Sequence, residues 1–395
     1  MCLEAEHVIL DACNELGKLV TSQAIKKFDT DGSPIQMAGV KLTAKAPVLK
    51  LYQTPYGAVE VPRYVYQTSQ GGKTFCPLEQ NARIIRSATP RFAQQISHKY
   101  ANMNAPAVCA DLEDNHHRKI AHSYLQDVAD HVGAIASAKE EVWEYASPKL
   151  DEAVASVVIS LDGAYLLMRE DGYREAMVGA ISLYNPKGER QHSIYIGEAP
   201  EYGKATFTER LEREIKQIKQ HYPDALYLGI ADGAKNNWSF LEQHTSRQLL
   251  DFFHATEYLA DVAEAAFPGK TDKPKREAWL HERCKQLKHQ AGAIDSLIAE
   301  MEKFAKRTQL NKTVKENLTA ARTYFANNRH RMDYATHVAN DLPIGSGVTE
   351  AACKTLVKQR LCCSGMRWKQ QGAKVILSLR ALIQSIERAM GAILE

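Results

Sequence analysis

Apolar positions recur at helical spacing through Leu3, Val8, Leu10, Leu16, Leu19, Ile25 and Phe28, which predicts an amphipathic helix over residues 2–28. The cluster Asp29-Thr30-Asp31-Gly32-Ser33-Pro34 ends it as a turn. The pattern then shortens to strand length. Val48–Tyr52 and Val59–Tyr66 flank Thr54-Pro55-Tyr56-Gly57, with Pro and Gly where a hairpin turn wants them, and Pro62 confines its strand to an edge. Helical spacing returns from Thr89 to Ala136. Pro90 suits the first turn of one helix, and Asn104-Ala105-Pro106 breaks the chain. A short helix near Ala107–Glu113, a turn at Asp114-Asn115-His116-His117 and a longer helix over Lys119–Val132 follow. That layout matches a helix-turn-helix, although any helical bundle produces it.

At Val154 the character changes. The apolar run Val154–Leu161, followed by Asp162-Gly163, reads as a strand buried on both faces. Ala164–Met168, Met177–Tyr184 and Ser193–Ile196 read as further strands in a meander. A helix over Thr206–Gln220 precedes a second apolar strand, Ala225–Ala231, which runs into Asp232-Gly233. A short helix and a strand at Gln248–Phe253 complete a mixed α/β sheet. From Pro268 to about Asn340 no strand pattern occurs, and the stretch reads as helices broken near Gly269, Gly292 and residues 308–312. Pro343 and Gly345-Ser346-Gly347 then open a helix carrying Glu350. The expected segments are 1–47 (helical), 48–86 (hairpin), 87–148 (helix-turn-helix-like), 149–267 (first part of the core), 268–341 (helical insertion) and 342–395 (the Glu350 helix and a basic tail).

A chain of 395 residues exceeds one average domain. Its net charge of +3 is small, but the distribution is uneven. Residues 270–331 hold fifteen Lys/Arg against seven Asp/Glu, and after Glu350 no acid follows until Glu387. Between them lie Lys354, Lys358, Arg360, Arg367, Lys369, Lys374 and Arg380, a basic run suited to phosphates. The eight cysteines form no Cys-x-x-Cys pair, so zinc-site spacing is absent and free thiols in a reducing compartment are expected. His116, His117, His122 and His131 lack any repeated ligand spacing and read as surface histidines. The acidic start MCLEAEHVIL does not suit a secretory signal, and no apolar run reaches the roughly 18 residues of a membrane span. A cytoplasmic protein without a membrane partner is expected.

Each of the three acids has an ordinary explanation. Asp162-Gly163 fits a hairpin turn. Asp232 suits the N-cap of the next helix. Glu350 and Lys354 have the spacing of an i,i+4 ion pair. Together, two buried apolar strands running into Asp-Gly and a glycine-rich helix start bearing Glu form a rarer combination. Carboxylates are the ligands a hard cation such as Mg²⁺ takes, and two such ions promote in-line phosphoryl displacement.

The residues Ser160-Leu161-Asp162-Gly163, Gly229-Ile230-Ala231-Asp232-Gly233-Ala234, Asp251 through Leu259, and Leu342 through Trp368 carry a more specific likeness. The sequence resembles the bacterial insertion-sequence DDE transposases of the ISKra group, and more loosely the Mutator-like transposases, from Tyr52 to about Leu382. The resemblance implies a ribonuclease-H-like mixed sheet interrupted by an α-helical insertion and preceded by the hairpin and helix-turn-helix region. It implies Asp162, Asp232 and Glu350 as catalytic metal ligands for Mg²⁺, with Mn²⁺ as a substitute. Asp251-x-x-His254 resembles a motif that sets His254 beside the site, although a His capping the following helix fits equally. Lys354, Lys358, Arg360, Arg367 and Lys369 are expected on phosphates, and Trp368 on an unpaired base or, alternatively, in the core. Cys362-Cys363 departs from the basic residues usual there. The implied activity is cutting element ends and joining their 3′-hydroxyls to target double-stranded DNA, as a nucleoid-associated dimer or higher oligomer on DNA. The alternatives are a nuclease that cuts without joining, a catalytically inactive DNA-binding regulator and, more remotely, a small-substrate phosphohydrolase.

Overall fold

Helical and strand periods sort into two units in the computed structural model, which describes residues 2–142, 150–307 and 310–385. One unit holds Met1–Glu144 and Lys369–Ile383, the other Tyr145–Trp368 and Gln384–Ile386.

The first unit opens with the helix Cys2–Lys26. Four short strands that the sequence pattern did not announce follow: β1 (Ile35–Met37), β2 (Val40–Ala44), and, beyond the hairpin, β5 (Tyr66–Thr68) and β6 (Gly71–Phe75), in the order β1-β2-β5-β6. They are three to five residues long and mostly solvent-facing, so they carry little apolar alternation. The expected hairpin forms from β3 (Val48–Gln53) and β4 (Ala58–Arg63), with Pro62 opposite Leu49 in a two-stranded ribbon where a missing N–H is tolerated.

Three helices follow, Pro90–Asn102, Ala105–His116 and His122–Val142. The break at Asn104 is a helix start: its side chain accepts from the Ala107 N–H at 2.9 Å, with Pro106 in the first turn. His117, at φ +52°, ends that helix, and the next begins at His122 rather than Lys119. Phe92, Ile96, Leu112, Leu125 and Val132 pack against Val375 and Leu379 of the helix Gln370–Gln384. Buried Arg380 donates to the Ala101 carbonyl at 2.8 Å and to Asn102 at 3.0 Å, near the end of the helix Pro90–Asn102. Residues 342–395, expected as one segment, thus divide: the chain from Lys369 to Ile383 belongs to the first unit.

In the second unit β7 (Ser156–Met168), β8 (Gly172–Tyr184) and β9 (Arg190–Glu198) form an antiparallel meander. β10 (Leu226–Ala231) lies parallel beside β7, and β11 (Arg247–Leu250) parallel beside β10, giving the order β11-β10-β7-β8-β9. Asp162-Gly163 is no turn. β7 runs straight through it in register with Val178 and Met177, so Ala164–Met168 is the second half of β7. The reversal comes at residues 169–171, before Gly172 at φ +69°. Helices Ala205–His221 and Lys235–His244 cover the sheet through Phe207, Leu211, Trp238 and Leu241. The helices Phe252–Ala266, Lys273–His289, Ala293–Ala305 and Lys312–Asn328 extend the same core. As expected, residues 268–340 contain no strand among those described.

Candidate active site

The parallel pairing of β10 with β7 decides where the two aspartates stand. The pairs run from Leu226 opposite Ser156 to Gly229 opposite Ile159, and each chain reaches its aspartate three residues further on. Asp162 is half-buried in mid-strand, its Oδ1 accepting from the Gly163 N–H at 2.7 Å. Asp232 follows the end of β10, where Gly233 at φ +108° turns the chain away. Asp232 does not cap the next helix, whose N-cap position is Ala234. Its carboxylate accepts from the Ala234 N–H at 3.1 Å and lies 3.5 Å from Asn237 Nδ2. The same Nδ2 donates to the Leu161 carbonyl at 3.4 Å, so Asn237 ties the two acid-bearing segments together. Tyr324, stacked on Tyr258 at 3.9 Å, donates its hydroxyl to the Asp232 carbonyl at 2.7 Å.

Glu350 comes from the helix Gly347–Ala352, and two buried contacts hold that helix in place. Thr349 and Ser160 share a hydroxyl hydrogen bond, fixing it to β7. Asp251, fully buried, works in two directions. Its Oδ1 accepts from the N–H groups of Phe253 (2.7 Å) and His254 (3.0 Å), capping the helix Phe252–Ala266. Its Oδ2 accepts from the Ser346 hydroxyl at 2.7 Å and from the Ser346 N–H. The cap of that helix is therefore Asp251 and not His254. This frees His254, whose Nε2 lies 3.5 Å from Glu350 Oε1 and whose Nδ1 lies 3.4 Å from Glu257. The i,i+4 pair of Glu350 with Lys354 does not form among the described residues.

Immediately after Glu350 the helix widens into a π-turn, Cys353–Lys358, before closing again at Gln359–Leu361. Such insertions recur at functional sites because they re-aim side chains within a continuous helix. Here Cys353 is buried and donates its thiol to Asp162 Oδ2 at 3.6 Å, while Lys354 and Lys358 stay exposed. A cleft of about 710 Å³ results, lined by Asp162, Gly163, His254, Glu350, Cys353, Lys354, Lys358 and Gln359. A larger cleft of about 1020 Å³ opens between the helices Lys235–His244 and Lys312–Asn328, with Gly233 and Tyr324 on its wall. Neither Asp162 nor Glu350 lines it; both line the smaller cleft, and Asp232 lines neither.

Burial pushes the Asp162 carboxyl above the usual carboxylate range and the Asp232 charge adds to the push, against the Gly163 N–H that it accepts. Burial also raises Glu350, with the Asp251 and Asp162 charges adding and His254 opposing. Burial, with Asp162 beside it, raises the Cys353 thiol far enough to keep it a protonated donor. Among the described residues no group of three or more His, Cys, Asp or Glu side chains is arranged to hold an ion as it stands. The donor set nonetheless suits a hard cation in kind: oxygen ligands whose mutual repulsion a divalent ion relieves.

The expected DNA contacts separate. Lys354, Lys358 and Arg367 are exposed, and Lys369, also exposed, belongs to the first unit. Arg360 is buried, its guanidinium 5.2 Å from the Trp368 ring centroid, which corrects its assignment to phosphate. Trp368 donates its indole N–H to the Leu361 carbonyl at 2.8 Å and bridges to Met168, so it packs the unit and does not stand free to stack on a base. Asn237, Tyr324 and Cys353 were not singled out by the sequence. Only Asn237 had a local signal, lying five residues beyond Asp232 in the first turn of the next helix. All eight cysteines are free thiols, and no described helix is long and apolar enough to cross a membrane. No family model matches the sequence, and no curated protein matches it either.

Proposed function

We propose that the chain is a DDE transposase of ribonuclease-H-like fold, which cuts DNA at the ends of its element and joins the 3′-hydroxyls to target DNA. The observation that carries this reading is the convergence of Asp162, Asp232 and Glu350. Asp162 lies in β7, Asp232 just beyond the end of the neighbouring β10, and Glu350 on a helix bonded to β7; Asp162 and Glu350 share a cleft with Lys354 and Lys358. The strand order supports it, because the first and fourth strands of the core sheet lie side by side and each presents an Asp. The helices Ala105–His116 and His122–Val142 support a helix-turn-helix reading of residues 87–148.

Asp162, Asp232 and Glu350 would hold Mg²⁺, which when bound lowers the pKa of an attacking water or 3′-hydroxyl and offsets charge on the phosphoryl oxygens. The chain's own groups do the rest. Lys354 and Lys358 bind flanking phosphates. His254 orients the Glu350 carboxylate, and the Cys353 thiol orients Asp162. Asp251 holds the Ser346 turn, so that Glu350 meets the strand edge without moving into place.

The test is a cleavage and strand-transfer assay on DNA carrying the element's terminal repeats, with Mg²⁺ or Mn²⁺. Asp162→Ala, Asp232→Ala and Glu350→Ala should each lose both reactions by at least about 100-fold while DNA binding survives. Native protein that binds the ends without cutting is a regulator, and one that cuts without joining is a nuclease. Retained cutting by Glu350→Ala removes Glu350 from the ligand set.

A further inference from the structure

The larger cleft, between the helices Lys235–His244 and Lys312–Asn328, is walled by donors that no protein group meets. Trp238 and Arg331 both line it, and Trp238 Nε1 and Arg331 Nε are each buried without a hydrogen-bond partner. Trp238 is 4 % exposed. Buried donors are normally paired, and both of these groups can only donate. The other end of Arg331 is engaged: it donates to Glu242, and its guanidinium lies 4.5 Å from the Trp238 ring centroid. Glu242 balances the Arg331 charge, so the two unpaired N–H groups call for a neutral acceptor rather than an anion. A charge stands close by. Lys235 lines the cleft three residues before Trp238 on the same helix, exposed and without an acid partner among the described residues. On the facing helix Thr319 and Thr323 donate their hydroxyls to the Lys315 and Thr319 carbonyls at 2.8 and 2.9 Å, which leaves only oxygen lone pairs for the cleft.

We propose that this cleft binds a nucleotide, with a base edge on Trp238 and Arg331, the phosphate on Lys235 and the ligand's own donors on the two threonines. Guanine suits that edge, because its N7 and O6 are neighbouring neutral acceptors. The volume of about 1020 Å³ is ample for one nucleotide. Tyr324 belongs to the same wall and donates to the Asp232 carbonyl, so a nucleotide bound here bears on the carboxylate site.

The nucleotide is either free or an unpaired member of a DNA strand, and Lys315 separates the two sources. Tyr324 meets Asp232 and Arg331 meets Glu242, so the helix Lys312–Asn328 runs along the cleft. Lys315 lines the cleft nine residues before Tyr324, about 13 Å along the helix and away from Arg331. A free nucleotide held at Trp238 does not reach it, whereas a further phosphate of a strand does. Only the strand source rests on the function proposed above.

Titration calorimetry on the full chain, without divalent metal, tests it. Deoxyguanosine 5′-monophosphate should bind, and deoxyguanosine and deoxyribose 5-phosphate should each bind at least about tenfold more weakly. Trp238→Phe keeps a ring and removes the donor, and should weaken the nucleotide at least about tenfold at an unchanged thermal midpoint. Lys235→Glu should weaken the nucleotide as much and leave deoxyguanosine unchanged, a split that misfolding does not produce. A single-stranded oligonucleotide that displaces the nucleotide, and that Lys315→Glu weakens, assigns the cleft to a strand; one that displaces nothing assigns it to free nucleotide. A native chain that does not bind the nucleotide, or binding indifferent to both Trp238→Phe and Lys235→Glu, overturns the proposal. Binding lost with Lys354→Glu instead of Lys235→Glu belongs to the carboxylate cleft and overturns it as well. Neither cutting nor joining is read, so failure here and failure of the function proposed above are separate results.

Discussion

The two units break local rules in opposite ways. The second brings carboxylates near the middle of its central strand, where burial and neighbouring acid charges raise Asp162 and Glu350. The first leaves an apolar helix stripe in water. A fold shaped for stability alone would do neither, and sites where such rules fail are where function resides. In the second unit the cost is carried by a rigid frame of hydrogen bonds around Asp251, Asn237 and Tyr324. In the first unit Val8, Ile9, Leu16, Leu19 and Val20 lie exposed along the helix Cys2–Lys26.

The comparison is broken most forcefully at Asp251. Asp251→Ala removes a helix cap and leaves the buried Ser346 donors unpaired, so it should destabilise the chain by about 3 kcal/mol in urea unfolding. It should also lower cleavage more than DNA binding, because Glu350 loses its support. Equal losses in both would make Asp251 a purely structural residue.

Asn237→Ala should cost about 1–2 kcal/mol by the same measurement, since it unties Asp232 from Leu161. Tyr324→Phe should cost about 1 kcal/mol through its single bond to the Asp232 carbonyl.

Asp162→Asn works the other way. A carboxyl whose folded pKa is raised binds its proton more tightly in the native state, so stability falls as pH rises from the unfolded carboxylate range through the folded pKa. The metal-free native protein should show that fall, and the Asn variant should show less of it. The variant should gain under about 1 kcal/mol near neutral pH after discounting for solvent around a half-exposed group. Mg²⁺ should raise the thermal midpoint of the native protein and not that of Asp162→Asn. An equal rise in both removes Asp162 from the cation site.

The smallest effect is expected in the first unit. Leu16→Glu should leave the unfolding free energy of the monomer within about 0.5 kcal/mol, because an exposed position has no packing to lose. A larger cost would mean that the stripe is already covered within the chain.

Much of this was open to local reading. Val154–Leu161 and Ala225–Ala231 announced buried strands because strands covered on both faces need apolar residues at every position. The aspartates beside them stood out against that background, and Pro343 with the following glycines marked the start of the Glu350 helix. The helical stretch 268–340 was legible because no strand pattern occurs in it.

Other features had no local signature. Asp162-Gly163 obeys turn chemistry and still lies in mid-strand, because pairing with Val178 and Met177 outweighs the preference of a dipeptide. Arg360 belongs to a basic run and is buried, because the packing of Trp368 against Leu361 draws it inward. Tyr324 reaches Asp232 across 92 residues of chain. By itself, then, the sequence determined the periods of the elements, the acids placed beside apolar strands and the basic stretches, all of which depend on neighbours a few residues apart. The pairing that brings the strands before Asp232 and around Asp162 side by side, the clamp of Asp251 on Ser346 and the choice of which cations stay in water were decided by tertiary structure, because each depends on groups far apart in sequence that meet only in the folded chain.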